Sequence, residues 1–391
     1  MDVLPNEEEQ MVKNLAREFL EAECPPRLAR DMEKDDLGYP PELWKQLADL
    51  GWLGISLPER YGGQGLPLTY LGLITEELGR AIAPVPFHST MVAALTIAEA
   101  GSDAQKQDLL PRVGRGELVL TWAYSEENPR LLPETVQCQA VEDGDNFILT
   151  GTKMFVDNFV AAEKCLVACR TAPASGANAG ISLLLVDAGS TGVSQIPLTT
   201  LAKDKQSKVI FDGVRVPRSS LVGELHQGWP IAQGMLDRGT ALLCAQMVGA
   251  ARKDAEMGID YAKNRVAFGR PIAAFQSIQH ICADMILWVD GGQLLTYEAL
   301  WKMDQGLPAS MEVSQAKSFC NDKCEAVVRS SQVLHGGMGF MMEFDLHLWY
   351  RRVTAWSMRL GTSFEHRSRI ARGLLDQPGR VRLGMNLELP A

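Results

Sequence analysis

Three residues that could bind a phosphorylated heterocycle lie close together near position 270. They are Arg265, Phe268 and Gln276, within the run YAKNRVAFGRPIAAFQSIQ. A guanidinium group binds a diphosphate through charge-assisted hydrogen bonds, and an aromatic ring with a nearby amide suits a heterocycle. The same run is also compatible with an ordinary helix end at Gly269 followed by a proline turn. Spacing alone leaves both interpretations open.

A glycine-rich segment, SQVLHGGMGF from Ser331 to Phe340, lies where another predicted helix ends. Glycines such as Gly336 and Gly337 allow backbone N–H groups to approach phosphate oxygens closely. The segment follows no predicted strand and matches neither a Walker loop nor the dinucleotide fingerprint. It is equally compatible with a tight turn between two helices.

Composition and charge limit the classes of ligand. The chain has 391 residues, of which 46% are hydrophobic and 22% charged, which is typical of a globular protein of two or three domains. A net charge of −10 argues against a nucleic-acid partner, because such a partner requires a basic face. An anionic ligand would need locally placed arginines. The eight cysteines form no C-x-x-C pair, so we expect reduced thiols and no metal site.

The first residues, MDVLPNEEEQ, are acidic and lack the features of a signal peptide. The chain also has no run of 18 apolar residues that could form a membrane span. We therefore expect a cytoplasmic protein.

Hydrophobic periodicity changes twice along the chain. The first part has a helical period, with Leu15, Phe19 and Ala22 on one predicted face, and the middle part has a period of two. The helical period then returns, with long helices predicted at 229–265, 275–305, 309–335 and 343–376. The predicted fold is α+β and multidomain: an N-terminal α-helical domain (1–120), a middle antiparallel β domain (121–225) and a C-terminal four-helix bundle (226–391).

Seven ordered stretches resemble the acyl-CoA dehydrogenase family from end to end. Besides the two described above, they are GISLPERYGGQG (54–65), EELGRAIAP (76–84), LLPRVGRGELVLTWAYSEE (109–127), LTGTKMFVDN (149–158) and VIFDGVRVP (209–217). The resemblance implies the same three-part fold and FAD held between two subunits, usually of a tetramer. It also implies an acyl-CoA substrate, as in lipid or steroid catabolism, and an electron-transfer flavoprotein or similar carrier as acceptor.

The resemblance also assigns cofactor-binding residues to both sides of that interface. In the family, the bundle of one subunit contacts the diphosphate and adenosine, while the β domain of the other holds the flavin. The bundle residues implied here are Arg265, Phe268, Gln276, Gln332, Gly336 and Gly337, although Gln332 lies one residue early relative to Gly336. The β-domain residues implied here are Tyr124, Ser125, Phe155 and Asp157.

The catalytic base of the family is missing from its two usual positions. The family removes the α-proton of the thioester with a glutamate directly before a Gly-Thr pair, and here Leu360 precedes Gly361-Thr362. The alternative position, on the first bundle helix, holds Gly239. Neither residue accepts a proton, so the catalytic residue is unknown. The remaining candidates are Asp237, Asp157 and Glu365.

The flavin side departs from the family pattern as well. The stretch from Ser125 to Leu131 lacks the family's glycines and later serine, Phe155 replaces a tryptophan, and Asp157 replaces a threonine. A carboxylate at position 157 would oppose the negative charge of a reduced flavin. Residues that serve a neighbour's FAD are thus retained, while those that serve the chain's own flavin are altered.

This uneven loss favours one subunit of an α2β2 enzyme, paired with a homologous chain that carries the glutamate. Two alternatives stay open. One is a homo-oligomeric dehydrogenase with a relocated base, and the other is a catalytically silent scaffold that binds acyl-CoA or flavin.

Overall fold

The computed structural model describes residues 4–173 and 180–376, so residues 377–391 of the predicted bundle lie outside the described part. A helical region, a sheet and a second helical region follow one another in the predicted order, which confirms the fold class. Among the described residues, no helix is long and apolar enough to cross a membrane.

The N-terminal region consists of short helices with well-defined starts. They are α1 (Glu7–Glu23), α2 (Pro26–Met32), α3 (Pro41–Asp49), α4 (Leu68–Arg80), α5 (Phe87–Ala100) and α6 (Asp103–Gly114). Capping boxes begin α1 at Asn6 and α6 at Ser102, where each side chain accepts a backbone N–H bond that the helix leaves unpaired.

The predicted apolar face of α1 was wrong. Leu15 is 57% exposed, while Ala16 and Leu20 are buried together with Lys13. The helix is rotated because the Lys13 ammonium donates to the Glu76 carboxylate of α4 at 2.7 Å. A buried ion pair requires both partners to face inward, and a pattern of hydrophobic residues does not register that.

The middle region forms a sheet in the order β6-β7-β3-β2-β4-β5-β8, with β1 beside β4. Its strands are β1 (Leu120–Ala123), β2 (Gln139–Asp143), β3 (Asn146–Asp157), β4 (Lys164–Arg170), β5 (Ile181–Asp187), β6 (Val193–Leu198), β7 (Gln206–Pro217) and β8 (Leu221–Val222). Most pairs are antiparallel, as predicted, but β1 and β2 pair with β4 in parallel. The sheet is therefore mixed. A long connection joins β1 to β4, as parallel pairing requires.

The C-terminal region contains the predicted long helices, with one difference. Its elements are α7 (Trp229–Asn264), β9 (Val266–Ala267), β10 (Arg270–Pro271), α8 (Gln276–Asp304), α9 (Ser310–His335), α10 (Leu346–Ser357) and α11 (Ser363–Leu375). The single helix predicted at 343–376 was wrong, since it is broken between α10 and α11. Leu360 and Gly361 have φ values of +53° and +98°, which no α-helix accommodates.

The two helical regions pack against each other with unusually close backbones. A Cβ at Gly249 of α7 would lie 1.8 Å from the Glu76 carbonyl oxygen of α4, and one at Gly79 would lie 2.0 Å from the Gln246 carbonyl oxygen. Only glycine fits at these two crossings. One apolar core spans both helical regions and reaches the sheet, while a second core lies within the sheet region. The domain limits at 120 and 225 stay predictions, and β1 already begins at Leu120.

Candidate functional site

The Arg265 motif forms an exposed hairpin at one end of the bundle. Arg265 caps α7, and its carbonyl oxygen accepts the Ile272 N–H at 2.8 Å, which closes the β9–β10 hairpin. Phe268 and Gly269 form the turn with φ values of +52° and +79°, and Phe268 is 94% exposed. The exposed Gln276 begins α8 directly after the hairpin. Side chains so exposed do not contribute to this chain's core.

The glycine turn lies at the same end of the bundle. Tyr261, on the last turn of α7, stacks on His335 at the end of α9 with ring centroids 4.3 Å apart. The next residue, Gly336, has a φ of +56°, and apart from the adjoining residues no described atom lies within 4 Å of a Cβ built at Gly336 or Gly337. The structure thus brings the two motifs together with open space above the glycines. Such a surface fits a ligand that needs close backbone approach.

Gln332 does not belong to this exposed set. Its side chain is buried, and its Oε1 accepts no hydrogen bond from the described residues. The Gln332 amide packs closely against Gly339, because a Cβ added at Gly339 would lie 2.7 Å from Gln332 Oε1. A cofactor contact by Gln332 remains a prediction.

The residues assigned to the flavin side converge on one cavity of about 410 Å³, which we call the site cavity. This volume lies within the usual range for small-molecule sites. Its walls come from the ends of β1 and β3, the loop after β1 and the break between α10 and α11. Site residues proposed from the sequence that line it are Tyr124, Ser125, Phe155, Asp157, Leu360 and Glu365.

A bulge in β3 positions Phe155 at the cavity. The register between β3 and β7 shifts between Lys153 and Val156, and Phe155 within this bulge has a φ of +56°. Bulges redirect side chains out of the strand alternation. Phe155 consequently lines the cavity and is 46% exposed.

A buried ion pair holds the strand edge next to this bulge. Lys153 is fully buried, and its ammonium donates to the Glu126 carboxylate at 2.7 Å and to the Tyr124 carbonyl oxygen at 3.0 Å. The Tyr124 hydroxyl donates to the Leu132 carbonyl oxygen, and burial raises the pKa of Tyr124. The Tyr124 hydroxyl therefore stays protonated, and the side chain lines the cavity as a neutral group that does not act as a base.

Asp157 does not present an unpaired charge. Its carboxylate accepts from both terminal nitrogens of Arg359, with Nη1 to Oδ1 at 2.6 Å. Burial lowers the pKa of Arg359 but Asp157 raises it, and the net shift is upward. The expectation that the Asp157 charge opposes a reduced flavin is corrected, because the guanidinium neutralises it. No sequence pattern indicated that Arg359, which is 202 positions away, would pair with Asp157.

The two base positions of the family resemblance are neighbours in space. A Cβ at Gly239 would lie 3.6 Å from Leu360 Cδ1 and 3.2 Å from Trp122 Cζ2. Leu360 is buried, and its carbonyl oxygen accepts a hydrogen bond from His366 at 2.8 Å. Apolar contacts therefore occupy the point at which both positions converge.

The other candidate carboxylates are engaged elsewhere. Asp237 accepts hydrogen bonds from the Ser310 hydroxyl and from Arg369, and it lines a different surface groove. Glu365 lines the site cavity, but its Oε2 accepts the Thr362 N–H at 2.8 Å as the cap of α11. A base at either position would have to leave these partners.

His88 is a titratable residue that sequence reasoning missed. Its Nε2 lies 2.8 Å from the Gly239 carbonyl oxygen, so this nitrogen carries the proton and donates. Burial lowers the pKa of His88, which keeps the ring neutral. A single histidine in a region of helical period carries no distinctive sequence signal.

Comparisons with known proteins identify related sequences along almost the whole chain. The family model "Acyl-CoA dehydrogenase, N-terminal domain" matches residues 6–117, and "Acyl-CoA dehydrogenase, C-terminal domain" matches residues 226–375. A 3-(aryl)acrylate reductase of Clostridium sporogenes is 32% identical, over 94% of this chain and 99% of its own length.

Two solved structures show the same fold. The ChsE4-ChsE5 complex from Mycobacterium tuberculosis contains a chain with a TM-score of 0.89 and 27% identity, over 97% of this chain and 100% of that one. Butyryl-CoA dehydrogenase from Megasphaera elsdenii has a TM-score of 0.87 and 28% identity, over 96% and 100%.

Proposed function

This chain belongs to the acyl-CoA dehydrogenase family, and from that premise we propose that it is one subunit of a two-chain acyl-CoA dehydrogenase. Its partner is a homologous chain that carries the catalytic glutamate, in an α2β2 assembly. The family consists of oxidoreductases that act on CH–CH groups. The proposed reaction is the α,β-dehydrogenation of an acyl-CoA thioester, for which FAD supplies the hydride acceptor.

The proximity of Gly239 and Leu360 is the observation that carries this proposal, since a Cβ at Gly239 would lie 3.6 Å from Leu360 Cδ1. The two places from which a base could reach one substrate carbon are adjacent, and both are apolar. If the catalytic base had only moved from one of these positions to the other, one of them would now hold an acidic residue. Asp157, Asp237 and Glu365 are each bonded to other groups of this chain. Proton removal is therefore assigned to the partner.

The exposed end of the bundle fits a cofactor held across an interface. Arg265 would bind the FAD diphosphate, and the N–H groups of Gly336 and Gly337 would approach its oxygens. Phe268 and Gln276 would contact the adenosine. All five residues point away from this chain's core, which is the orientation needed to serve a neighbouring chain.

The residues of the site cavity support the proposal that this chain binds a flavin in its own β domain less well than the family pattern would. Pro129 and Leu131 line the cavity where the resemblance implies an alanine and a serine. Phe155 offers an exposed aromatic face, and the Asp157–Arg359 pair contributes no net charge. These residues can determine the shape of the cavity and exclude water from it, but they offer few hydrogen-bond donors to a flavin ring.

The relatives support the proposed classes of partner and acceptor. A chain of ChsE4-ChsE5 resembles this one, and that assembly is a complex of two named chains. Other matches include a subunit of a caffeyl-CoA reductase-Etf complex. We accordingly propose a homologous subunit as partner and an electron-transfer flavoprotein or a similar carrier as acceptor.

Flavin stoichiometry tests the proposal. Coexpression with a homologue encoded beside it should give a yellow complex of equal chain ratio, with one FAD per heterodimer rather than two. Only one of the two interfaces would combine this bundle surface with an intact flavin strand and glutamate. Absorbance gives flavin per chain, and light scattering gives the mass. This chain expressed alone should be poor in flavin and inactive.

A homo-oligomer with a relocated base is the second candidate, favoured by Glu365 because that carboxylate lines the same cavity as Leu360. A homotetramer of this chain with one FAD per chain and turnover of its own would establish it and defeat the two-chain proposal. A chain that binds acyl-CoA or flavin but turns over with no partner would instead be a silent scaffold.

A further inference from the structure

A second, smaller cavity lies behind the Asp157–Arg359 pair, and we call it the inner cavity. Its volume is about 110 Å³, and Asp157 and Arg359 line both this cavity and the site cavity. One side is apolar, formed by residues 82–85, Leu243 and Trp356. The other side is charged, formed by Glu33, Lys203, Asp204, Lys205 and Arg352.

Arg352 is a buried cation with unused hydrogen-bond donors. Its residue is 8% exposed, and its Nη1 donates to the Leu348 carbonyl oxygen at 3.1 Å. The same nitrogen lies 3.3 Å from Glu33 Oε1. Within the described chain, Nε and Nη2 donate to no oxygen. Burial lowers the pKa of Arg352 even though Glu33 is close, so its surroundings compensate the charge only in part.

The unused edge of Arg352 is the one that binds carboxylates side-on. Arg17 shows this geometry in the same chain, where Nε and Nη2 donate to the two Glu77 oxygens at 3.0 and 2.7 Å. Two parallel bonds from a guanidinium edge match the spacing of carboxylate oxygens. Arg352 lines the inner cavity, and this edge of its guanidinium has no acceptor among the described residues.

The acidic residues around the inner cavity are already shared or engaged. The Glu33 carboxylate accepts from Arg351 at 2.7 Å and also lies near Arg352 and Lys203. Asp204 accepts from the Thr200 hydroxyl and the Gln206 amide. The lining residues include four cations, Lys203, Lys205, Arg352 and Arg359, against three carboxylates, Glu33, Asp157 and Asp204. The cavity therefore carries an excess of positive charge.

We propose that the inner cavity is a binding site for an organic carboxylate, held by Arg352 Nε and Nη2. The planar guanidinium edge selects two coplanar oxygens, and the apolar wall accommodates the attached carbons. A volume of about 110 Å³ suits a group of a few heavy atoms, since a water molecule in the liquid occupies about 30 Å³.

The position of the cavity points to a carboxylate carried on the substrate. His88 lines the inner cavity and donates to the Gly239 carbonyl oxygen, so the cavity is one side chain away from the base positions. A thioester reacting beside Leu360 would direct the far end of its acyl group toward Arg352. This assignment rests on the proposed function, whereas the carboxylate site itself does not. The substrate class would be a CoA thioester whose acyl group ends in a carboxylate.

The site is tested first with a free carboxylate. The unfolding midpoint of the full chain, or of its complex with the partner, is measured with sodium propionate and with sodium chloride at equal ionic strength. Propionate should raise the midpoint of the wild type, because a ligand that binds only the folded state stabilises it. Equal midpoints in the two salts would overturn the carboxylate site.

Arg352→Gln identifies the residue responsible. The variant should fold, because it removes an incompletely compensated buried cation, and it should lose the propionate effect, with affinity roughly 10- to 100-fold lower. Arg115→Gln removes an arginine from an exposed pair with Glu117 and should keep the full effect. An unchanged propionate response in Arg352→Gln would remove Arg352 from the site. If that variant does not fold, Arg352→Lys is used instead. Lysine keeps the charge but has a single donor nitrogen in place of the planar guanidinium edge, so this variant should show a reduced response.

The source of the carboxylate is decided with two CoA thioesters of equal chain length, one ending in a carboxylate and one in a methyl group. Tighter binding of the first by calorimetry, lost in Arg352→Gln, assigns the carboxylate to the substrate. Equal affinities restrict the site to free carboxylates. Failure of both thioesters to bind, with the propionate effect intact, contradicts the proposed function but not the carboxylate site.

Discussion

At the scale of single residues, Arg359 changes the electrostatic effect of Asp157 on the site cavity. A carboxylate at this position would repel a reduced flavin, but the adjacent guanidinium forms two hydrogen bonds with it and cancels its charge. Substitution of one member alone would leave an uncompensated buried charge. The pair is therefore one electrostatic unit, which lines both the site cavity and the inner cavity.

Replacement of Arg265 tests the cofactor surface. Arg265→Ala should lower the FAD content of the two-chain complex, because charge-assisted bonds to a diphosphate are worth about 1.5–3 kcal/mol. The flavin-free fold should stay intact, since Arg265 is exposed and lies outside the core. Flavin absorbance per heterodimer measures the loss. Lys263→Ala, which changes another exposed cation nearby, should retain the flavin, and a full flavin content in Arg265→Ala would exclude this residue from the site.

The buried carboxyl group of Asp254 should make the stability of the protein depend on pH. It is fully buried with both carboxylate oxygens unpaired among the described groups, and burial raises its pKa well above the ordinary 3.8. A raised folded-state pKa favours the protonated form, so this contribution to stability is complete below the unfolded-state pKa and is lost as the pH rises toward the folded-state pKa.

Asp254→Asn removes this titration. The free energy of unfolding of the variant, relative to wild type, should rise with pH from about 4 upward and level off once the pH exceeds the folded-state pKa. Urea unfolding between pH 5 and pH 8 gives the difference. A difference that does not change with pH would show that Asp254 does not titrate on unfolding.

At the scale of elements, the break between α10 and α11 determines where Leu360 lies. The sequence contained the signal for this break, since Thr362 and Glu365 have the spacing of a capping box. Helical periodicity continues across the break, and a prediction based on periodicity alone joins the two helices. The positive φ values of Leu360 and Gly361 follow from the chain turning into the new helix.

The capping box of α11 can be tested by substitution. Thr362→Ala should lower the free energy of unfolding by about 1 kcal/mol, because the Glu365 N–H loses its acceptor. Thr362→Ser keeps the hydroxyl and should retain most of the stability. Chemical unfolding of the three proteins provides the comparison. Equal stability of the alanine and serine variants would contradict the capping role.

At the scale of the whole molecule, a buried polar network joins the two helical regions. Lys13 of α1 and the Tyr297 hydroxyl of α8 both donate to Glu76 of α4, at 2.7 and 2.6 Å. Gln293 of α8 donates to the same carboxylate. Three helices from distant parts of the chain thus share one buried charge, which specifies how the regions pack.

Removal of Lys13 should destabilise the protein far more than removal of an exposed lysine. Lys13→Met leaves the Glu76 charge without its cation and should cost about 3–5 kcal/mol. Addition of Glu76→Gln should recover part of this loss, since the amide is uncharged. Lys45→Met, at an exposed pair with Asp49, should cost less than about 1 kcal/mol. A loss in Lys13→Met no larger than that of Lys45→Met would contradict the role of the network.

The sequence by itself determined the order of helices, sheet and helices, and it located the two motifs around Arg265 and Gly336 that are proposed to bind the cofactor. Periodicity and motifs are local properties, so a single chain reports them directly. Phe268 and the glycine pair could be placed at helix ends for that reason. The absence of an acidic residue at Leu360 and Gly239 was likewise visible without a structure.

Only the tertiary structure decided which distant groups meet. Arg359 neutralises Asp157, Leu360 lies next to Gly239, and Arg352 lines a cavity that no motif indicates. These relations depend on the β3 bulge, on the break before α11 and on the close crossing of α4 and α7. Contacts between residues far apart in the chain depend on packing in three dimensions, and local sequence patterns do not encode that packing.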